Sequence, residues 1–380
     1  MGKKEGLVKR NYYLDLLDRN TASFGKGEGK NIALLGPRKC GKTSILKQHL
    51  AAAKDVVGVF IDVNKTSLNP ENFSVEFIGN VIFNFLKKPL KDYKKFLLLE
   101  NILKTENELK SKNAFAIVRS IENELQKIKP DQKLLVQNAF GFAKELGKEN
   151  SKKFLIALDN IESLLDLNNF FQVKDVISLM DLKSENARYI AASSAIRESI
   201  AALKGFECYE IKNLEKNEAI ELAESIIGKD KACEEIWGLS KGHPFVTTII
   251  SKKYNELKSV KKSFLIELLA KDNALYGYCS DSYNYYYNRA RGQTLLKTIL
   301  KIVANEELRL SDIAKRIYRS APVTKSILER LMDVDVIYKK DNKFYFTDDV
   351  LRLWVKLTSQ GYDFDDAPDD KVLEEVMKEL

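Results

Sequence analysis

A glycine-rich loop between an apolar run and a helical pattern is the segment of this sequence best suited to chemistry. The apolar run covers residues 31–35, and the helical pattern passes through Ile45 and Leu50. The loop and the start of the helix consist of Gly36, Pro37, Arg38, Lys39, Cys40, Gly41, Lys42, Thr43 and Ser44. The two glycines let the backbone turn so that successive N–H groups point at phosphate oxygens, and the helix adds its positive N-terminal end. The pattern therefore predicts a Walker A loop that binds a nucleoside triphosphate.

Two side chains of the loop and one acid further along the chain are expected to act on the phosphates. Lys42 is predicted to reach the β- and γ-phosphates, and Thr43 to place its hydroxyl on Mg²⁺. Asp159 ends the apolar run 154–159 and fits the Walker B position, which holds Mg²⁺ through water. The predicted metal-binding residues are therefore Thr43 and Asp159.

The sequence lacks the motif that recognises guanine, which favours ATP over GTP. Guanine recognition normally requires an Asn-Lys-x-Asp loop. The two nearest matches, which begin at Asn64 and Asn342, have Ser67 and Tyr345 in place of the Asp. We therefore expect ATP and Mg²⁺ as the cofactors.

The residue after Asp159 departs from the pattern of hydrolytic P-loop proteins, which place Glu there to polarise the attacking water. Asn160 can orient a water but cannot accept its proton. Glu162 could accept it if the loop bends toward the γ-phosphate; the alternative is a solvated side chain at the start of the next helix. Ser194 follows the next strand, where its hydroxyl could sense the γ-phosphate; alternatively it ends the strand and caps a helix. We predict slow hydrolysis with Lys42, Asp159, Glu162 and Ser194 as catalytic residues.

The strands that carry these residues are predicted from unbroken apolar runs, which are typical of parallel strands buried on both faces. Such runs cover residues 31–35, 56–62 and 154–159, and shorter runs at 189–193 and 206–211 could complete a five-stranded sheet. Helical periodicity fills the gaps between them. The fold class is therefore α/β, a doubly wound parallel sheet that carries the P-loop.

The rest of the chain divides by changes in pattern. The ATPase domain is predicted over residues 1–212 and includes a helical insertion at 70–150. A helical lid follows at 213–291. Three short helices and an alternating hairpin at 292–360 predict a winged helix-turn-helix. Residues 361–380 are an acidic tail.

The third helix of the predicted winged helix runs from Pro322 to Met332 and would bury Val323, Ile327, Leu328 and Leu331. Its solvent face would then read the DNA groove, through Thr324, Lys325, Ser326 and Arg330. Three lysines on the wing would contact phosphates, namely Lys339, Lys340 and Lys343. Double-stranded DNA is the predicted partner, and a docked protein is the alternative, because winged helices also serve as protein-docking modules.

Charge and composition exclude several classes. The net charge is +8, and residues 1–50 hold eleven basic against four acidic residues, which suits a polyanionic partner. No run approaches the length of a membrane span, and the polar start lacks the apolar core of a secretion signal, so we expect no membrane partner and a cytoplasmic protein. The four cysteines lack CxxC spacing and only two histidines are present, which argues against a zinc site.

The order of these motifs resembles the archaeal ATPase family, a branch of the P-loop ATPases related to the STAND and AAA+ groups. The resemblance covers nearly the whole chain and is strongest in the loop 36–44; further matches are residues 214–219, Gly242-His243-Pro244 and residues 346–354. It implies a P-loop ATPase core of the ASCE and AAA+-like type, a helical lid and a DNA-binding-type winged helix that together work as a nucleotide-driven switch. It also implies that His243 lies near the nucleotide, whereas a lone His before Pro is otherwise a structural residue.

Two other functions remain open at this point. Asn160 favours a switch that binds nucleotide without significant turnover and whose winged helix docks a protein. An AAA+ replication initiator would share the same order of ATPase, lid and winged helix. The sequence does not indicate the oligomeric state.

Overall fold

Five parallel strands form the central sheet of the computed structural model, which describes residues 10–292 and 294–379. The predicted domain ranges also include residues 1–9, Gln293 and Leu380, which lie outside the described residues. The strands are β1 (Asn31–Leu35), β2 (Val57–Asp62), β3 (Phe154–Asp159), β4 (Ala187–Ser193) and β5 (Phe206–Glu210). The predicted five-stranded α/β fold is confirmed, and the strand boundaries differ from the predicted ones by at most two residues.

The strand order in the sheet is β2-β3-β4-β1-β5. The three central strands β3, β4 and β1 are buried along their whole length, whereas the edge strands β2 and β5 alternate in exposure. This difference explains why the central strands read as continuous apolar runs. All pairs are parallel, so the carboxyl ends of the strands lie at the same edge of the sheet.

Eight helices accompany the sheet in the N-terminal part of the described chain. They are α1 (Asn11–Gly25), α2 (Lys42–Ala52), α3 (Pro70–Phe85), α4 (Leu99–Leu103), α5 (Glu106–Leu109), α6 (Lys112–Leu125), α7 (Gln132–Asn150) and α8 (Ile196–Ala202). Helices α3 to α7 lie between β2 and β3, in the range of the predicted insertion. The 3₁₀ segment Leu90–Leu97 packs closely on α3. The approach requires glycine at position 79, since a Cβ there would lie 1.8 Å from the Phe96 carbonyl oxygen.

Helix α2, which starts at the glycine-rich loop, is fixed against α1 by a buried histidine. His49 Nδ1 lies 2.7 Å from Asp18 Oδ1, and His49 Nε2 lies 2.9 Å from Thr21 Oγ1. Burial lowers the pKa of His49 even though Asp18 opposes this. The sequence analysis assigned this histidine no role; both of its ring nitrogens hold the loop helix in place.

Contacts divide the chain into two units. The N-terminal unit contains Arg10–Pro37 and Gly41–Ile211. The C-terminal unit contains the loop residues Arg38–Cys40 and the chain from Lys212 onward. The predicted start of the lid, residue 213, falls next to this boundary.

The C-terminal unit is helical with one antiparallel hairpin. Its helices are α9 (Lys216–Ile227), α10 (Ala232–Ser240), α11 (Pro244–Leu257), α12 (Val260–Leu269), α13 (Ala274–Arg289), α14 (Thr294–Asn305), α15 (Leu310–Arg316), α16 (Ala321–Asp333), α17 (Asp349–Ser359) and α18 (Asp370–Val376). The hairpin strands are β6 (Ile337–Lys340) and β7 (Lys343–Phe346). One hydrophobic cluster extends from Ala223 to Val376, so the predicted lid and winged helix share a core.

The acidic tail packs on the same unit. Leu373 and Val376 on α18 are buried, and Lys262 Nζ lies 2.9 Å from Asp370 Oδ1. Lys271 Nζ lies 2.9 Å from Asp365 Oδ1. Lysines of α12 and of the turn after it therefore neutralise part of the tail's negative charge. Among the helices of the described residues, none has both the length and the apolar character needed to cross a bilayer.

Candidate nucleotide-binding site

The glycine-rich loop connects β1 to α2, as the sequence predicts. Gly41 has φ +105° and occupies the N-cap position of α2, a backbone conformation that favours glycine. The other left-handed residue of the loop is Lys39, with φ 55°, and not Gly36. Alternation of right- and left-handed residues makes a concave row of N–H groups, which suits an anion. Ser44 follows on the first turn of α2 and is exposed.

Lys42 lies under the loop with its ammonium group buried. Its Nζ donates to the carbonyl oxygens of Gly36 at 2.8 Å and Pro37 at 2.7 Å, and to Ser194 Oγ at 3.0 Å. Because β4 lies between β1 and β3 in the sheet, Ser194 comes next to the loop although it is 152 residues away in the chain. The predicted pair of Lys42 and Ser194 is therefore in contact.

The two predicted metal-binding side chains also meet. Thr43 Oγ1 donates to Asp159 Oδ2 at 2.7 Å. Burial raises the pKa of the Asp159 carboxyl; the hydrogen bond from Thr43 opposes this, and the neighbouring Asp62 adds to it. A hydroxyl and a carboxylate at this edge of the sheet fit the oxygen ligands that Mg²⁺ prefers. The donor set is thus chemically suited to Mg²⁺ bound together with nucleotide phosphates.

The Asn160 side chain is hydrogen-bonded to an acid at the end of the neighbouring strand β2. Its φ is 56°, a left-handed conformation that Asn tolerates better than most residues. Its Nδ2 donates to Asp62 Oδ1 at 2.8 Å. Asp62 ends β2 directly opposite Asp159 at the end of β3. The sequence analysis missed Asp62 as a site residue; the signal available was that both apolar runs end in an acid.

Glu162 is buried, so its interpretation as a solvated side chain is wrong. Only 2% of its surface is exposed, and its Oε1 accepts a hydrogen bond from the Ser194 backbone N–H at 3.1 Å. Ser194 thus joins Lys42 through its hydroxyl and Glu162 through its amide. The preceding Ser193 hydroxyl lies 2.7 Å from Ser199 Oγ on α8. The structure brings the four predicted catalytic residues to one edge of the sheet.

Arg38, Lys39 and Cys40 belong by their contacts to the C-terminal unit. The Arg38 guanidinium carbon lies 4.6 Å from the centre of the Tyr285 ring, and Lys39 Nζ lies 4.0 Å from the centre of the Phe245 ring. Cys40 is fully buried. His243 precedes α11, and its Nε2 lies 2.9 Å from the Arg38 carbonyl oxygen. The predicted nucleotide-binding His243 therefore contacts the loop backbone.

The predicted DNA-reading face of α16 requires one correction. Thr324 is buried and its Oγ1 donates to the Ser320 carbonyl oxygen at 3.0 Å, whereas Val323 is 44% exposed. The buried stripe begins at Thr324 and continues at Ile327, Leu328 and Leu331, a spacing of three, four and seven residues. Thr324 therefore cannot read a groove. Helical spacing decides which face of α16 is buried, and the exposed Val323 lies outside that face.

Of the other predicted DNA contacts, the lysines and Ser326 reach the surface, whereas Nε and Nη2 of Arg330 are buried. Lys325, Ser326, Lys339 and Lys340 are exposed, and Arg330 is half-buried. Lys343 is partly exposed, with its Nζ 3.7 Å from Glu307 Oε2.

Comparison with solved structures finds a similar fold in a Walker-type ATPase. A Walker-type ATPase of Pyrococcus abyssi matches with a TM-score of 0.64 and 16% identity over 93% of this chain and 97% of that chain. The fold shared with that protein is an α/β parallel-sheet fold, and in this chain a glycine-rich loop follows its strand β1. At this identity the likeness concerns the fold alone, and at that level the predicted resemblance to archaeal P-loop ATPases is confirmed.

Two other solved structures are less similar to this chain. The ORC2 protein of Aeropyrum pernix in its ADP form matches with a TM-score of 0.46 and 12% identity, covering 100% of this chain and 95% of that one. A STAND protein of Pyrococcus horikoshii with a tetratricopeptide repeat sensor matches with a TM-score of 0.37 and 16% identity, covering 94% and 43%. No protein-family model matches the chain, and no curated protein matches its sequence.

The buried Asp159 carboxylate gives a stability prediction. Asp159→Asn keeps an acceptor for Thr43 but removes the charge, so at pH 7 the free energy of unfolding without ligand should rise by about 1 kcal/mol. Because the folded pKa is raised, the gain should be fully present at pH values above that pKa and should disappear at about pH 3, below the ordinary Asp pKa of about 3.9, where both states bind the proton.

Urea unfolding at both pH values measures this difference. The control is Asp166→Asn, which changes an exposed carboxyl on the segment after β3 and should leave stability unchanged. A loss of stability in Asp159→Asn at pH 7 would contradict the account, because it would mean that the ionised carboxylate stabilises the ligand-free fold.

Proposed function

We propose that the protein binds ATP with Mg²⁺, hydrolyses it slowly, and couples its nucleotide state to a DNA-binding winged helix. The observation that carries the proposal is the meeting of Lys42, Thr43, Asp159, Glu162 and Ser194 at the carboxyl ends of β1, β3 and β4. Ligands of open parallel sheets bind at this edge. The fold shared with a Walker-type ATPase supports the same conclusion.

Each part of a triphosphate has a matching group in this arrangement. The row of loop N–H groups and the N-terminal end of α2 suit the phosphate oxygens. Lys42 is held near the loop by carbonyl oxygens, and a phosphate oxygen would give its ammonium group a charged partner in place of neutral ones. Thr43 and Asp159 would hold Mg²⁺, which would supply neutralisation of the phosphate charge.

Slow turnover follows from the groups available to the attacking water. Asn160 offers no proton acceptor, and its amide donates to Asp62. Glu162 is the nearby carboxylate, but it is fixed by the Ser194 amide two residues beyond the usual position of the base. Proton transfer would require Glu162 to come within hydrogen-bond reach of the water. A nucleotide switch without significant turnover is the second candidate, and Asn160 is the observation that favours it.

Coupling to the winged helix is supported by a series of contacts within the C-terminal unit. His243 Nε2 contacts the Arg38 carbonyl oxygen and lies 3.3 Å from the Tyr278 hydroxyl. Tyr278 donates to Asp348 Oδ2 at 2.8 Å. The other oxygen of Asp348 caps α17 by accepting from the Val350 and Leu351 N–H groups. A shift of the loop at Arg38 therefore has a hydrogen-bonded route to the start of α17.

DNA binding is supported by the basic surface of the α16 and hairpin segment. Lys325, Lys339 and Lys340 are exposed on it. Each lysine that neutralises a phosphate releases counterions, so the affinity should fall steeply with salt. In this proposal the segment is a winged helix with α16 as its reading helix and β6-β7 as its wing.

Replacing the loop lysine tests ATP binding. Lys42→Ala should abolish the heat of Mg-ATP binding in calorimetry, because the ammonium group that faces the phosphates is removed. Lys47→Ala, an exposed lysine on the same helix, is the matched control and should bind as the wild type does. Unchanged binding by Lys42→Ala would overturn the assignment of the site.

Replacing Glu162 separates slow hydrolysis from binding alone. Glu162→Gln keeps an acceptor for the Ser194 N–H but cannot take a proton, so phosphate release should fall by about 10²-fold or more while the ATP affinity stays the same. Asp166→Gln on the same segment is the control for a general loss of charge. If the wild type releases no phosphate above the rate of Lys42→Ala, the protein is the nucleotide switch and not a hydrolase.

Replacing Tyr278 tests the coupling. Tyr278→Phe keeps the buried ring and removes the hydroxyl between His243 and Asp348. We expect ATP to change the affinity for duplex DNA about 5-fold to 150-fold in the wild type and much less in this variant, with an unchanged ATP affinity. Tyr283→Phe on the same helix is the control, since the Tyr283 ring contact with Trp354 would be kept. An equal ATP effect in all three proteins would exclude this route.

A further inference from the structure

A shallow depression of about 490 Å³ lies in the N-terminal unit, outside the nucleotide site. The turn between α6 and α7 lines it with Lys127 and Lys129, and the first turn of α7 adds Lys133. The segment after β3 lines it with Phe171 and Lys174. Neither the proposed ATP site nor the proposed winged helix uses these residues. We call these five residues the lysine–phenylalanine surface.

The acidic side chains in the depression are used by the fold itself. Glu124 pairs with Lys127, and its Oε2 accepts from the Asp131 N–H at 2.9 Å. Asp131 caps α7 by accepting from the Leu134 N–H at 2.9 Å. The ammonium groups of Lys129, Lys133 and Lys174 form no ion pair with a carboxylate among the described residues. The surface therefore presents positive charge to an anionic partner.

An aromatic ring is exposed to solvent among these lysines. Phe171 is 84% exposed, and Lys174 Nζ lies 5.0 Å from the centre of its ring. Ile128, next to Lys127 and Lys129, is fully exposed as well. An open phenyl ring flanked by ammonium groups offers a stacking face together with contacts for phosphates.

The hydrogen-bonding groups of the turn distinguish between possible partners. The Asp131 N–H is occupied by Glu124, and the Gln132 N–H donates to Gln172 Oε1 at 2.7 Å. A bound peptide would need directional main-chain partners, and these two amides are already engaged. A nucleic acid strand needs only cations for its phosphates and a flat ring for its bases. A duplex keeps its bases stacked on one another, so the exposed ring favours an unpaired strand.

We propose that the lysine–phenylalanine surface binds single-stranded nucleic acid without sequence preference. Lys129, Lys133 and Lys174 contact successive backbone phosphates, and a base stacks on Phe171. This site is separate from the duplex-binding winged helix of the proposed function. The protein would thus bind an unpaired nucleic acid strand on its N-terminal unit.

The test measures binding of a fluorescein-labelled dT20 oligonucleotide to the full chain by anisotropy over a range of salt concentrations. Phe171→Ala should weaken binding about tenfold, because one base is deprived of its stacking partner, and Phe171→Trp should restore it. The double variant Lys129→Glu, Lys133→Glu should weaken binding further. It should also lower the slope of log affinity against log salt by about 0.7 for each phosphate that the protein no longer neutralises.

Matched controls separate this site from general electrostatic attraction. The double variant Lys91→Glu, Lys94→Glu makes the same charge change at exposed positions of the insertion outside the depression and should bind dT20 as the wild type does. Phe171 is exposed, so its replacement should leave the thermal unfolding midpoint unchanged. Lys42→Ala should also leave dT20 binding intact, which separates a failure of this proposal from a failure of the proposed ATPase function.

Three results would overturn the proposal. The first is equal dT20 affinity of the wild type, Phe171→Ala and the Lys129/Lys133 variant. The second is an equal loss of affinity in the Lys91/Lys94 control, which would mean that the attraction is diffuse. The third is binding of polyglutamate or of anionic phospholipid vesicles, abolished by Phe171→Ala, without binding of dT20; that result would assign the surface to an acidic peptide or a lipid surface.

Discussion

The position of β4 between β1 and β3 is the constraint on which the rest of the site depends. Parallel pairing brings the carboxyl ends of these three strands to one edge of the sheet. Each strand ends in, or is followed by, a residue or loop of the site. The glycine-rich loop follows β1, Ser194 follows β4, and Asp159 ends β3. A different strand order would leave the loop lysine without Ser194 and would separate Thr43 from Asp159. The sheet topology therefore determines which side chains can act together.

The same arrangement buries charged side chains, and removing a charge from water costs free energy. Lys42, Asp159 and Glu162 are all at least nine-tenths buried in the described structure. Charged groups removed from water are costly unless they are paired, so each of them is held by hydrogen bonds to the loop, to Thr43 or to Ser194. Sites of this kind commonly lower the stability of the fold in return for function. Binding of a phosphate chain with its cation would complete the pairing of these charges.

The C-terminal unit combines elements that its sequence pattern separates. Residues of the predicted lid, the predicted winged helix and the acidic tail contribute to one hydrophobic cluster. The Tyr278 hydroxyl donates to Asp348 and lies within hydrogen-bond distance of His243, so one hydroxyl contacts two polar residues that are far apart in the chain. A shared core of this kind would let the segment with the exposed lysines move as one body with the helices around it.

The sequence by itself determined the elements whose signals are local. Strands buried on both faces read as unbroken apolar runs, and the phosphate loop requires glycine and lysine at fixed spacing, so both were predictable from residues 31–44 and 154–159. The tertiary structure alone decided which side chains meet across long separations. Lys42 with Ser194, Glu162 with the Ser194 amide, and Asn160 with Asp62 each depend on strand order, which no local pattern records. The exposure of Phe171 was likewise decided by packing, because residue type describes a preference for water and not the neighbours that a fold supplies.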